Sequence, residues 1–189
     1  MKTKISLALV AMLAVTSLSA EVKETLYPNG KVKFERNYEN GKLNGMAKAY
    51  YESGHLKTKT NFRNGKINGT TYGFYENGAL KASIAMTNGK TNGKEKEYYK
   101  NSQLKSIGTN RMGHPVGGKK MLFDNGNLKA KLNFDDNGNF YGTQKEYYPN
   151  GNMKYKVSAY PDSETKGRIY EINGDSRKMS EQDLAKLGF

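Results

Sequence analysis

Residues 55–62 alternate strictly: Leu56, Thr58, Thr60 and Phe62 against His55, Lys57, Lys59 and Asn61. The same alternation returns as Leu80, Ala82, Ile84 and Met86 against Lys81, Ser83 and Ala85, and as Leu128, Ala130, Leu132 and Phe134 against Lys129, Lys131 and Asn133. Period-two patterning predicts half-buried β-strands. A second strand is predicted before each, over 46–51, 70–75, 94–99, 119–123 and 143–148, and each ends on an aromatic. Aligned on it, Tyr27, Tyr51, Tyr75, Tyr99, Phe123 and Tyr148 are spaced by 24 residues four times and then by 25. Gly30, Gly54, Gly78, Gly126 and Gly151 recur three places after their aromatics. A fixed period of this length indicates tandem structural repeats.

Two connections join the strands. Asn29-Gly30, Asn77-Gly78, Asn125-Gly126 and Asn150-Gly151 predict two-residue type I′ hairpin turns, which place Tyr75 opposite Leu80. The longer connection, 40–45 and its copies, carries two glycines that permit a left-handed reversal, with Leu43, Ile67 and Phe140 turned inward. Short loops force antiparallel neighbours. The expected fold is therefore all-β: an elongated, single-sheet antiparallel meander of about six hairpin repeats. An α-helical repeat is disfavoured, because glycine and β-branched residues run through every unit and no 3.6-residue stripe appears.

The ends differ from the array. Residues 1–20 read as a secretory signal peptide: Lys2 and Lys4, an apolar run over 5–15, then small residues to Ala20. The run is shorter than the roughly 20 residues that span a bilayer. The array is expected over 21–160. Residues 161–189 hold a loop at 161–166, a last degenerate strand at 168–172 and a short helix to about Leu187, begun by the capping box of Ser180 and Asp183. In the fourth unit Ser102 replaces the turn glycine, and 111–117, with His114, replaces the usual connection.

Composition narrows the function. The chain has no cysteine, so an exported fold here needs no disulfide, and thiolate chemistry is excluded. The net charge of +13 falls to +11 once Lys2 and Lys4 leave with the leader. Such a surface favours anionic partners. The expected location is periplasm, cell surface or medium, with no transmembrane segment in the mature chain and no nucleic-acid partner.

The word Tyr-x-Asn-Gly-x-Leu-Lys, followed by Asn-Gly-Lys-x-Asn-Gly and a strand ending Tyr-Tyr, resembles the variant MORN repeat family. Five to six copies in register cover Tyr27 to about Tyr160. The resemblance implies repeated β-hairpins in an extended sheet and a binding role in place of catalysis. Bacterial members often carry an antitoxin-like label, and some exported ones are associated with contact between bacteria and host cells.

No catalytic constellation is legible, and no cofactor is expected. His55 and His114 lie more than two repeats apart. Gly89-Lys90-Thr91 echoes a phosphate loop, but Ile84 stands where its first glycine belongs. Glu95, Glu97 and Glu146 suit cross-strand ion pairing. The candidate binding surface is instead a row of lysines, Lys33, Lys57, Lys81, Lys105, Lys129 and Lys154, expected on the non-apolar face about 10 Å apart. Tyr50, Phe74, Tyr98 and Tyr147 precede the repeat aromatics and face the other way. The reading is an exported, non-enzymatic protein that binds a protein or an anionic envelope or host-surface component. A toxin-neutralising, immunity-like role and an envelope-polysaccharide hydrolase are the alternatives.

Overall fold

A computed structural model describes residues 20–161 and 163–189; the predicted leader, apart from Ala20, lies outside them. Among the described residues, fifteen strands form one open antiparallel sheet, each laid beside the one before it except that both halves of one split strand pair with the same neighbour. The first hairpins use β1 (Ala20–Leu26), β2 (Val32–Glu39), β3 (Lys42–Tyr50) and β4 (Leu56–Arg63). A split strand, β5 (Lys66–Ile67) and β6 (Gly69–Phe74), precedes β7 (Leu80–Thr87) and β8 (Lys90–Tyr98). Next come β9 (Leu104–Arg111), β10 (His114–Leu122), β11 (Leu128–Phe134), β12 (Gly142–Tyr147) and β13 (Met153–Tyr160). The array ends in β14 (Ser163–Tyr170), β15 (Ser176–Lys178) and the helix α1 (Glu181–Lys186).

The turn types are exchanged relative to the sequence reading. Type I′ geometry sits at the connection expected to be long. Asn40 and Gly41 have φ of 50° and 74°, and Glu39 pairs directly with Lys42. Asn64-Gly65, Asn88-Gly89 and Met112-Gly113 repeat it. After each aromatic the loop has three residues and ends in a left-handed residue, Ser102 in the fourth unit and glycine in the others: the Tyr27 N–H donates to Lys31 O at 2.8 Å, and the Gly30 N–H to Tyr27 O at 2.9 Å. Asn29 stays out of the left-handed region because its Oδ1 accepts the Lys31 N–H at 3.0 Å, a local Asx turn. The longer loop shifts the register, so Leu80 pairs with Phe74 and not with Tyr75.

Extra residues at two places in each unit complete the geometry. The first is the lysine slot: Thr58 pairs with Ala49 and Leu56 with Tyr50, which leaves Lys57 unpaired as a β-bulge. The second lies at the later glycine of each pair. Gly45, Gly69 and Gly93 have φ of 90°, 107° and 114°, and at Gly93 a Cβ would stand 2.9 Å from the Ala85 Cβ. Leu43 and Ile67 do turn inward, opposite Tyr38 and Phe62. Phe140 stacks on Phe134 at 5.2 Å.

The single 25-residue interval also has a cause. Where other units use a two-residue turn, Asp135 to Asn139 close a three-residue loop, with the Asp135 N–H donating to Asn139 O at 2.9 Å. The register then steps by two residues between Phe140 and Lys145, as at the equivalent point of other units, and fully buried Gln144 bridges the step: Oε1 accepts the Asn133 N–H at 2.6 Å while Nε2 donates to Asn133 O at 3.0 Å.

Both rims are stitched between units. The Gly65, Gly89 and Gly113 N–H groups donate to Leu43, Ile67 and Thr91 carbonyls of the preceding unit at 2.7–2.9 Å. The core is thin, with Val116, Ala130, Val157 and Ala159 as its buried apolar residues. The expected loop at 161–166 is largely strand, since β14 starts at Ser163, and β15 adds a strand beyond 172. The helix forms with the predicted capping box. Met179 fills the space over Gly167 against Val157, and Phe189 stacks on Phe140 at 4.8 Å, so the tail covers the C-terminal end of the apolar side.

Candidate functional site

The repeat aromatics are structural. The Tyr27, Tyr51, Tyr75 and Tyr99 hydroxyls each donate at 2.8 Å to a backbone carbonyl of the next unit, on Tyr50, Phe74, Tyr98 and Leu122. Tyr148 reaches Tyr170 O at 3.2 Å. Phe123 holds the same slot without a hydroxyl. Beside this ladder, Asn29, Asn77, Asn101 and Asn125 donate to turn carbonyls one unit on, at 3.1–3.5 Å.

The predicted lysine row does not occupy the non-apolar face. Lys33, Lys57, Lys81 and Lys129 lie over the rings of Tyr27, Tyr51, Tyr75 and Phe123, at 5.3–5.7 Å from the centroid. Lys105 and Lys154 pair with Glu97 and Glu146 at 3.6 and 2.9 Å. Those glutamates are direct partners of Ser106 and Tyr155, on the side of the small and apolar residues. The reason is the bulge at every lysine slot, which turns a side chain that strict alternation sends the other way. Cation–π contacts of this kind contribute about 0.5–1 kcal/mol at exposed sites.

Tyr50, Phe74, Tyr98 and Tyr147 do lie on the opposite face. They pair directly with Leu56, Leu80, Leu104 and Met153, as aromatic–aliphatic columns near the turn rim. All four are half-buried. The Tyr50 hydroxyl donates to Glu35 at 3.2 Å, and Lys48 bonds the same carboxylate at 2.9 Å. The Lys48 bond, with Tyr50 adding to it, holds the Glu35 carboxyl below its ordinary value; desolvation, then Glu35, pushes the Tyr50 phenol up. On the small-residue side, burial and a hydrogen bond to Glu146 push the Tyr155 hydroxyl far above the usual phenol range.

The middle of the non-apolar face carries residues that the sequence reading passed over. Lys48 pairs with Lys59, Ser83 with Lys96, Ile107 with Lys120, and Lys120 with Lys131. This central rung continues through Lys145 and Lys156. The signal was present: Lys96, Lys120 and Lys145 are spaced 24 and then 25 residues apart. Among the described residues, no group of three or more His, Asp or Glu is placed to hold a metal ion. No described helix is long and apolar enough to cross a membrane.

The family described as MORN repeat variant matches the chain at four places, residues 22–40, 43–64, 91–109 and 140–158. This is a MORN-variant repeat protein. No curated protein matches the chain. The units around Tyr75 and Phe123 fall between the matched segments, yet their hairpins have the geometry of their MORN-variant neighbours: Gly78 and Gly126 N–H groups donate to Tyr75 and Phe123 carbonyls at 2.9 and 3.0 Å. The MORN-variant array is thus continuous in space where the sequence match is broken.

Proposed function

We propose that this MORN-variant protein is an exported, non-enzymatic binding protein that engages a macromolecular partner in the bacterial envelope or on a host-cell surface. One observation carries the reading: an open sheet of MORN-variant hairpins presents equivalent side chains as columns across many strands, with a cationic rung beside a row of aromatic–aliphatic pairs. An extended surface of repeated chemistry suits a partner that is itself extended. The net charge favours an anionic one. Export rests on the leader-like residues 1–20.

The test is capture. A C-terminally tagged full chain, expressed in its own host, is expected in the envelope fraction or medium at reduced mass, with a partner that elutes as salt is raised. A chain that stays in the cytoplasm at unchanged mass ends the export part of the reading. A tagged chain that retains nothing beyond a tag control ends the binding part.

A further inference from the structure

From β10 onward the direct cross-strand partners along the central rung are Lys120, Lys131, Lys145, Lys156, Arg168 and Lys178. Five like-charge contacts follow one another, and like charges directly opposite destabilise a sheet. The N-terminal end of the face shows the alternative, because Glu35 pairs with Lys48 there and bonds it. None of the six cations forms an ion pair with a described residue. Solubility alone is served as well by alternating signs, so this run of one sign spends stability on something else.

The rung borders a recess. A groove of about 500 Å³ is lined by Lys94, Lys120, Lys131 and Lys145, with Thr109, Asn133, Thr143 and Ile107 among them. No lining residue is acidic or aromatic. Four lysines thus line one recess together with hydroxyl- and amide-bearing side chains. Further along, Lys156, Arg168 and Lys178 border a second recess, where Glu164 and Glu181 enter. In the other direction the rung passes Ser83 to Tyr72, whose ring is 37% exposed.

Strands lie ~4.8 Å apart, so the rung offers about one cation per strand spacing along a line that crosses the strands. That pattern matches a linear polymer with one acidic group per monomer of similar length. We propose that the groove and rung from Lys94 to Arg168 bind a linear acidic polysaccharide, with one carboxylate or sulfate per sugar. The polymer lies across the strands; ammoniums meet its acids, while Thr109, Asn133 and Thr143 meet its hydroxyls. Single-stranded nucleic acid fits less well, because its bases need stacking platforms and the groove has none. A bilayer fits less well too, since the lysines border a recess and no exposed large apolar residue lines it. The proposal deepens the binding role given above and rests on it.

Calorimetric titration of the full chain at low salt tests it. The probes are oligogalacturonates of graded length, neutral dextran, oligothymidylate and phosphatidylglycerol vesicles. Affinity for the oligogalacturonates is expected to rise with length and fall with salt, with dextran inert and both other anions weaker at equal charge. Lys120→Glu with Lys131→Glu and Lys145→Glu is expected to weaken binding roughly 30-fold or more. The corresponding Gln triple variant is expected to weaken it by roughly tenfold, with an unchanged melting profile as the control for folding. Lys33→Glu with Lys57→Glu and Lys81→Glu, on the other side, is expected to change affinity less than about threefold. Unchanged affinity in the rung variants overturns the proposal, as does tighter binding of oligothymidylate or vesicles. A chain that captures an envelope partner but ignores oligogalacturonate leaves the binding role standing and sinks this assignment.

Discussion

At the scale of single residues, the repeats serve as their own controls. Phe123 occupies the one ladder slot without a hydroxyl, and the equivalent carbonyl lies on Tyr147. Phe123→Tyr is expected to add the missing bond and stabilise the chain by about 0.5–1.5 kcal/mol, while Tyr51→Phe costs about as much; urea denaturation of each single variant measures it. Ser102 takes φ of 66° where other units have glycine. Ser102→Gly is expected to raise stability by about 0.5–1 kcal/mol, and a fall would show that the serine has a compensating contact. The same ordering marks Met112, at φ 49° in a slot that Asn40, Asn64 and Asn88 fill elsewhere. Asparagine tolerates the left-handed region better, so Met112→Asn should also stabilise.

At the scale of elements, the bulges decide what faces where. Gly93→Ala forces a Cβ against Ala85 at a left-handed φ, whereas Gly41→Ala meets nothing within 4 Å. The first is expected to cost about 2 kcal/mol or more and the second about 1, as separate shifts of the denaturation midpoint. The helix end offers a titration. Arg177, then the Ser180 cap, holds the Asp183 carboxyl well below its ordinary value. A depressed folded-state value means that the carboxylate stabilises the cap above the unfolded value, near pH 4, and that this is lost as pH falls through the folded one. Asp183→Asn should therefore weaken docking of the tail at neutral pH and flatten its acid dependence, seen in the amide resonances of 180–189. Strand positions and the repeat period were legible because alternation and the 24-residue spacing are local. The turn assignment was not, because Asn-Gly stands at both rims and only backbone φ separates Asn29 from Asn40. The lysine row failed for a related reason: one unpaired residue per hairpin reverses a side chain while leaving the periodicity intact.

At the scale of the whole molecule, every unit is held by its immediate neighbours through the ladder, the rim bonds and little buried apolar area. Stability is then close to a sum of unit and interface contributions. The central rung was missed at this scale, since Lys120, Lys131 and Lys145 lie on three strands and become one line only when the register is known. The family match illustrates the same division, for it breaks at the units around Tyr75 and Phe123 while the sheet runs on.

The two ends of the sheet are unequal. All seven residues of β1 are exposed, including Val22 and Leu26 at 59% and 57%, whereas the far end lies under the C-terminal tail. Among the described residues, unzipping from the first strand meets no covering segment, whereas from the other end it must first peel off a docked one. Amide exchange is expected to slow progressively from the first hairpin toward β12 and β13, so that the chain has a built-in direction of fraying. A unit's lifetime would then depend on its place in the row as much as on its own composition.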